Sequence, residues 1–93
     1  MAKLFETLTA ENWRKGYFSR WGKVGCLVFH LARIPGSDGK MTQDLLAAAG
    51  LLYPDRMESA RATKSGWARL GCFNDHPDTT LEDVLRVLKC ADV

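Results

Sequence analysis

The chain has 93 residues, a net charge of +2 and a hydrophobic fraction of 46%, the size and composition of one small globular domain. Those values exclude a disordered chain, and no apolar run approaches the roughly 20 residues that a membrane-spanning helix needs. The N-terminus shows no secretory signal, and the odd number of cysteines indicates reduced thiols. The sequence therefore predicts a single domain, residues 1–93, located in the cytoplasm.

Two helices are predicted in the first third of the chain. Apolar residues at 4, 5 and 8 indicate one helix over the first 15 residues, with Trp13 at its inner face. A second helix is predicted over about residues 23–34, where apolar residues cover most of the cylinder. A buried strand over residues 24–31 is the alternative, because this stretch is also a short apolar run.

Turn residues over 34–39, which include a proline and two glycines, stop that element. A third helix is predicted over residues 42–49, with Thr42 as its N-cap and Gly50 just beyond its end. The pattern over residues 54–70 is weaker. Pro54 suits a first helical position, whereas Gly66 and the serines dilute the helical signal.

The last helix has the clearest local signals. Thr80 and Asp83 have the spacing of a capping box, here in an acidic variant. Leu81, Val84 and Leu88, together with residue 85, then form one apolar stripe. The predicted fold is mostly α, a bundle of four to five short helices. The alternative is a small α+β domain with strands at residues 24–31 or 70–73.

A basic and aromatic stretch, residues 12–23 and called here the basic segment, is the first candidate binding site. Four aromatic and four basic residues share twelve positions, and residues 12–33 contain no acidic residue. Such side chains can stack on bases or peptides while the cations meet phosphates or carboxylates, or they can serve the core of a small domain. The candidate partner-binding residues are Trp13, Arg14, Lys15, Tyr17, Arg20, Trp21 and Lys23.

Cysteine chemistry gives two further hypotheses. The spacing Cys-x3-His occurs twice, at Cys26 with His30 and at Cys72 with His76. On a helix this spacing places both side chains on one face, so the two pairs together could bind one zinc ion. The usual spacing between paired cysteines is missing, and we predict neither a metal nor another cofactor. Cys26 also lies near the N-terminus of its predicted helix, where a thiolate nucleophile is favoured. Its apolar neighbours favour an inert thiol instead.

Turn-forming residues over 73–80 precede the last helix. Asn74 and Asp75 can close a turn on their own backbone, and Pro77 fixes the approach to the helix cap. Two interpretations stay open for this stretch. It is either a polar binding loop or a structural break between two helices.

Three segments together resemble a known family. Residues 13–16, residues 25–27 at the start of an apolar helix, and residues 73–88 are similar to the DUF6197 family of small uncharacterised bacterial and bacteriophage proteins. The Asn-Asp-x-Pro segment is the most specific part of this resemblance. The chain departs from the family pattern at Phe73, where the family has Trp, and at Asp78, where it has Gly.

The resemblance implies a bacterial or phage accessory protein and brings no activity with it. Small domains of this kind act by covering a surface of a larger host protein or nucleoprotein complex, as inhibitors of the anti-CRISPR kind do. We therefore expect a non-enzymatic binding protein without a membrane partner. The alternatives are a thiol enzyme that uses Cys26 and a module that binds nucleic acid directly.

Overall fold

A computed structural model describes residues 3–15, 24–58 and 65–93. The described part of the chain contains six helices and no strand, so the predicted helical class is confirmed and the α+β alternative is wrong. The helices are α1 (Leu4–Thr7), α2 (Leu27–Leu31), α3 (Thr42–Leu52), α4 (Pro54–Glu58), α5 (Gly66–Asp75) and α6 (Leu81–Cys90). None of them is long and apolar enough to cross a membrane.

Helix α6 forms as its local signals predict. The Thr80 side chain accepts a hydrogen bond from the Asp83 amide at 3.3 Å, and the Asp83 carboxylate accepts one from the Thr80 amide at 3.2 Å. Val84, Val87 and Leu88 are fully buried, and burying a side chain of this size stabilises the fold by about 1.5–3 kcal/mol. The predicted stripe omitted Val87.

Helix α2 is shorter than predicted because the chain before it is extended. The Arg14 amide donates to the Gly25 carbonyl and the Gly25 amide donates to the Asn12 carbonyl, each at 3.0 Å. These bonds hold Gly25 in an isolated bridge with Trp13. A Cβ at Gly25 would lie 2.7 Å from the Phe29 Cβ, so the glycine leaves room for the Phe29 side chain of α2.

Helix α1 is also shorter than predicted, and Trp13 does not belong to it. After Thr7 the chain turns, and the Asn12 side chain holds the turn by accepting from the Thr9 amide at 2.8 Å and donating to the Thr7 carbonyl at 3.0 Å. Leu8 is buried in the core. An amide side chain bonded to nearby backbone competes with a continuing helix, which is why the predicted 15-residue helix is wrong.

Helix α3 begins and ends differently from the prediction. A helical turn over Ser37–Met41, broken at Gly39, leads into it, so Thr42 is not a cap; its hydroxyl donates to the Ser37 carbonyl. Gly50 lies inside the helix, which continues to Leu52. Pro54 then starts α4, as predicted for a first helical position.

Helix α5 begins within residues 54–70, where the sequence pattern is weak. Ser65 is its N-cap and accepts from the Ala68 amide at 3.4 Å, so a serine that appeared to dilute the pattern marks the start of the helix. Leu70, Phe73 and Asn74 form its buried face. Residues 59–64, part of the predicted helical stretch, lie outside the described residues.

Charged side chains join α4 to α6 in a group called here the Asp83 cluster. The Asp83 carboxylate forms an ion pair with Arg56 and accepts from the Tyr53 hydroxyl at 3.0 Å. Arg86 donates to the same hydroxyl at 3.1 Å, and Arg56 lies 4.5 Å over the Tyr53 ring. Burial favours the neutral acid, but bonds from Arg56, the Thr80 amide and Tyr53 outweigh it and lower the Asp83 pKa.

Candidate partner-binding site

The structure describes residues 12–15 of the basic segment and the chain from residue 24 onward, just after it. Backbone bonds of Gly25 with Asn12 and Arg14 join these two stretches, called here the base of the segment. The predicted partner-binding residues Tyr17, Arg20, Trp21 and Lys23 lie outside the described residues. Their role stays a prediction, and the geometry below concerns the base of the segment.

Asn74 holds that base from α5. Its side chain is fully buried. The Asn74 Oδ1 atom accepts from the Trp13 indole Nε1 at 2.6 Å and from the Leu27 amide at 3.2 Å. The Nδ2 atom donates to the Arg14 carbonyl at 3.3 Å and to Asp75 Oδ1 at 3.0 Å. A side-chain amide offers two donors and two lone pairs, so the hydrogen-bonding capacity of Asn74 is filled.

The Asn74 junction, meaning Asn74 with Trp13, the Arg14 carbonyl and the Leu27 amide, also caps a helix. Cys26 is the N-cap residue of α2, and its own side chain forms no cap hydrogen bond. The first amides of a helix need acceptors from outside the helix. Asn74 supplies one for Leu27 from a different helix, which couples the start of α2 to the end of α5.

Lys15 binds the same C-terminal end of α5. Its ammonium group donates to the His76 carbonyl at 2.7 Å and to the Pro77 carbonyl at 3.1 Å. His76 is the C-cap of α5, where the helix dipole is negative and a cation is favourable. The exposed Lys15 side chain therefore contributes to the fold as well as to the surface charge.

Arg14 is exposed beside it. One of its guanidinium nitrogens, Nη1, donates to the Ala10 carbonyl at 2.6 Å and to the Trp13 carbonyl at 2.7 Å. Trp13 itself is half-buried and packs against the core. Within the described base, Trp13 therefore anchors the segment, whereas Arg14 and Lys15 place positive charge at the surface.

The loop predicted at residues 73–80 begins later than expected. Asn74 and Asp75 lie in the last turn of α5, so their assignment to a loop is wrong; the connection to α6 starts at His76. Asn74 stays helical because its side chain bonds to other segments rather than to the backbone that follows it. In the connection, His76 Nδ1 accepts from the Asp78 amide at 3.1 Å.

The cysteines lie among ordinary structural contacts. Cys26 and Cys72 are half-buried and Cys90 is exposed, all as free thiols. His30 Nε2 contacts the Asn12 carbonyl at 2.8 Å, so that nitrogen donates. Within residues 3–15, 24–58 and 65–93, no hydrogen bond joins Cys26 to either histidine, and no three metal-ligating side chains form a group.

Asn74 is the site residue that sequence reasoning placed wrongly. The turn formers over residues 73–80 favour a turn there, because Asn74 and Asp75 can bond to their own backbone and Pro77 follows. A different signal was present: Leu70, Phe73 and Asn74 have helical spacing on one face. A polar residue on an otherwise apolar face indicates a buried hydrogen-bonded group.

The comparisons with known proteins agree with the resemblance inferred from the sequence. A family model, described as a family of unknown function (DUF6197), matches residues 3–92. No curated protein and no solved structure matches the chain.

Proposed function

We propose, from the premise that this chain belongs to the DUF6197 family of unknown function, that it is a non-enzymatic binding protein. Its partner is a larger host protein or nucleoprotein complex, and the basic segment is the surface that meets the partner. In this proposal the protein acts as small phage inhibitors of the anti-CRISPR kind do, by covering a surface of the target.

One observation carries this proposal. The Asn74 junction fixes the backbone at the base of the basic segment, while Arg14 and Lys15 at that base are exposed. A rigid base reduces the conformational entropy that binding must overcome. Exposed cations steer and orient an acidic partner. The arrangement supports a recognition surface held by the fold.

The test is a charge reversal that spares the fold. Lys15 bonds to the end of α5, whereas the Arg14 side chain bonds, among the described residues, only to carbonyls within four residues of it. Lys15 is therefore left in place, and the variant carries Arg14→Glu, Arg20→Glu and Lys23→Glu. The matched control reverses Arg33, Lys40 and Lys89, which are all exposed. The ion pair of Lys40 with Asp44 is open to solvent, so its loss costs little. Both variants change the net charge equally.

Affinity purification from a host extract, with partners identified by mass spectrometry, is the measurement. We expect the first variant to lose its specific partner and the control to keep it, with both melting curves close to that of the wild type. Recovery of the same partner by both variants would overturn the proposal.

Nuclease treatment of the extract separates this function from direct nucleic-acid binding. A protein partner survives the treatment, whereas an RNA or DNA ligand is lost. Affinity for a nucleic acid would also fall steeply as salt rises, because counterions are released on binding.

A further inference from the structure

Both histidines of the chain are bonded to the base of the basic segment. His30 Nε2 donates to the Asn12 carbonyl at 2.8 Å. The His76 carbonyl accepts from the Lys15 ammonium group, and its ring Nδ1 accepts from the Asp78 amide at 3.1 Å. Imidazole is the side chain that gains a proton between about pH 8 and 5. The base therefore contacts two residues that change charge in this range.

The two rings respond differently to that proton. A ring nitrogen that donates carries its hydrogen in both the neutral and the charged imidazole, so the bond from His30 persists in acid. A backbone amide only donates, so His76 Nδ1 accepts through a lone pair, and the added proton occupies that lone pair. Protonation therefore breaks the bond between His76 and the Asp78 amide and leaves the bond of His30 intact.

One peptide group couples the His76 ring to Lys15. The Pro77 carbonyl and the Asp78 amide belong to the same planar trans peptide, in which the C=O and the N–H point in opposite directions. The N–H donates to His76 Nδ1, whereas the C=O accepts from the Lys15 ammonium group at 3.1 Å. When the first bond is lost, this peptide is free to rotate, and its carbonyl turns away from Lys15.

Charge acts in the same direction. The protonated ring belongs to the residue whose carbonyl binds Lys15 at 2.7 Å, so two positive groups are brought close together and repel each other. The nearest acidic residues along the chain are Asp75 in α5 and Asp78 in the connection. Their carboxylates attract the ammonium group as well as the charged ring, so they do not remove the repulsion.

From this arrangement we propose that His76 is a pH switch at the base of the basic segment. With the neutral ring, the peptide after Pro77 is bonded on both sides and Lys15 is bound to the connection. With the charged ring, Lys15 is released. Trp13 stays anchored, because its bond to Asn74 involves no titratable group. The switch is a property of the fold and does not depend on the function proposed for the segment.

NMR of ¹³C,¹⁵N-labelled protein between about pH 8 and 5 tests the switch. We expect the Asp78 amide proton to move upfield as its hydrogen bond is lost. The side-chain signals of Lys15, assigned with Lys15→Arg, move toward those of a lysine in a short peptide. Both changes follow the titration of the His76 ring with one midpoint. Lys15 signals that stay unchanged while the His76 ring titrates would overturn the proposal.

His76→Asn removes the titration and keeps the acceptor, because an asparagine side chain bonds to the backbone two residues on. We expect Lys15 to stay bound throughout the pH range in this variant. His30→Gln is the matched control, since its side-chain amide also donates, and it is expected to keep the wild-type response. An equal response of Lys15 in the wild type and in His76→Asn would contradict the assignment to His76.

Thermal denaturation separates release of Lys15 from a through-space effect of the ring charge on its signals. At the neutral end of the range Lys15→Met lowers the Tm, and we expect this Tm difference to be lost at the acidic end. In the His76→Asn background the difference is expected at both ends. A Tm difference that persists at the acidic end in the wild-type background would show that Lys15 stays bound, and the proposal would then be wrong.

Discussion

Two polar arrangements hold distant parts of this chain together, and they differ in kind. The Asn74 junction uses one neutral, fully buried amide with every hydrogen-bonding position filled. The Asp83 cluster uses a carboxylate, two arginines and a tyrosine hydroxyl, partly open to solvent. Neutral hydrogen bonds respond little to pH and salt, whereas ion pairs respond to both. Distant segments are therefore joined in two ways, by buried neutral hydrogen bonds at the Asn74 junction and by charged groups at the Asp83 cluster.

The largest expected effect follows from removing the amide. Asn74→Ala leaves the Trp13 indole N–H and the Leu27 amide without their common acceptor. Each unsatisfied buried group costs about 1–3 kcal/mol. We expect a loss of about 3 kcal/mol or more in the free energy of unfolding, measured by urea denaturation followed by circular dichroism.

Trp13→Phe is the control for that substitution. It keeps an aromatic ring against the core and removes only the indole donor, so we expect a loss of about 1 kcal/mol. Equal losses of stability for the two variants would show that Asn74 contributes nothing beyond its hydrogen bond to Trp13.

The Asp83 cluster predicts a smaller, pH-dependent effect. Asp83→Asn removes the charge that pairs with Arg56, and we expect a loss of about 1 kcal/mol at neutral pH. The folded pKa of Asp83 is below its ordinary value, so the stabilisation is complete above about pH 4–5 and is lost as the pH falls through the folded pKa. Urea denaturation of both proteins between pH 7 and pH 2.5 measures this.

The wild type and Asp83→Asn are expected to converge in stability at the acidic end of that series. Glu82→Gln, at an exposed neighbouring position, should show no comparable convergence. If the difference in the free energy of unfolding between the two proteins stays constant down to pH 2.5, Asp83 stabilises the fold through its shape rather than its charge.

The smallest effect is expected at the edge of the junction. Lys15→Met removes the cation that binds the carbonyls at the end of α5, which costs about 0.5 kcal/mol. Lys15→Arg keeps a cation there and should retain most of the stability, as measured by thermal denaturation. If Lys15→Met and Lys15→Arg are equally stable, the cation at the end of α5 makes no measurable contribution to stability.

Local signals predicted only part of what local contacts determine: the end of α1, which Asn12 sets through Thr7 and Thr9, and the bounds of α3 were missed. The capping box at Thr80 and the helical position of Pro54 depend on neighbouring residues, and both were predicted from the sequence. The extent of α2 was not, because the pairing of Gly25 with Trp13 joins segments twelve positions apart. The position of Asn74 inside a helix was missed for the same reason, since its partners come from two distant segments.

The candidate surface was predicted only in outline. Sequence alone identified the basic segment and left open whether its aromatic residues serve the core or a partner. In the described part of the segment, Trp13 packs against the core, whereas Arg14 and Lys15 lie at the surface. That division depends on a hydrogen bond to Asn74, which no periodicity in residues 12–23 encodes.

The distance along the chain between Trp13 and Asn74 affects the order of folding. These residues are 61 positions apart, and the entropy of closing so long a loop is lost before their contact is gained. Helix α6, with its own cap, forms by contacts a few residues apart. We therefore expect the base of the basic segment to become fixed late in folding. A partner of the proposed kind would then distinguish the completed fold from earlier, partly collapsed states.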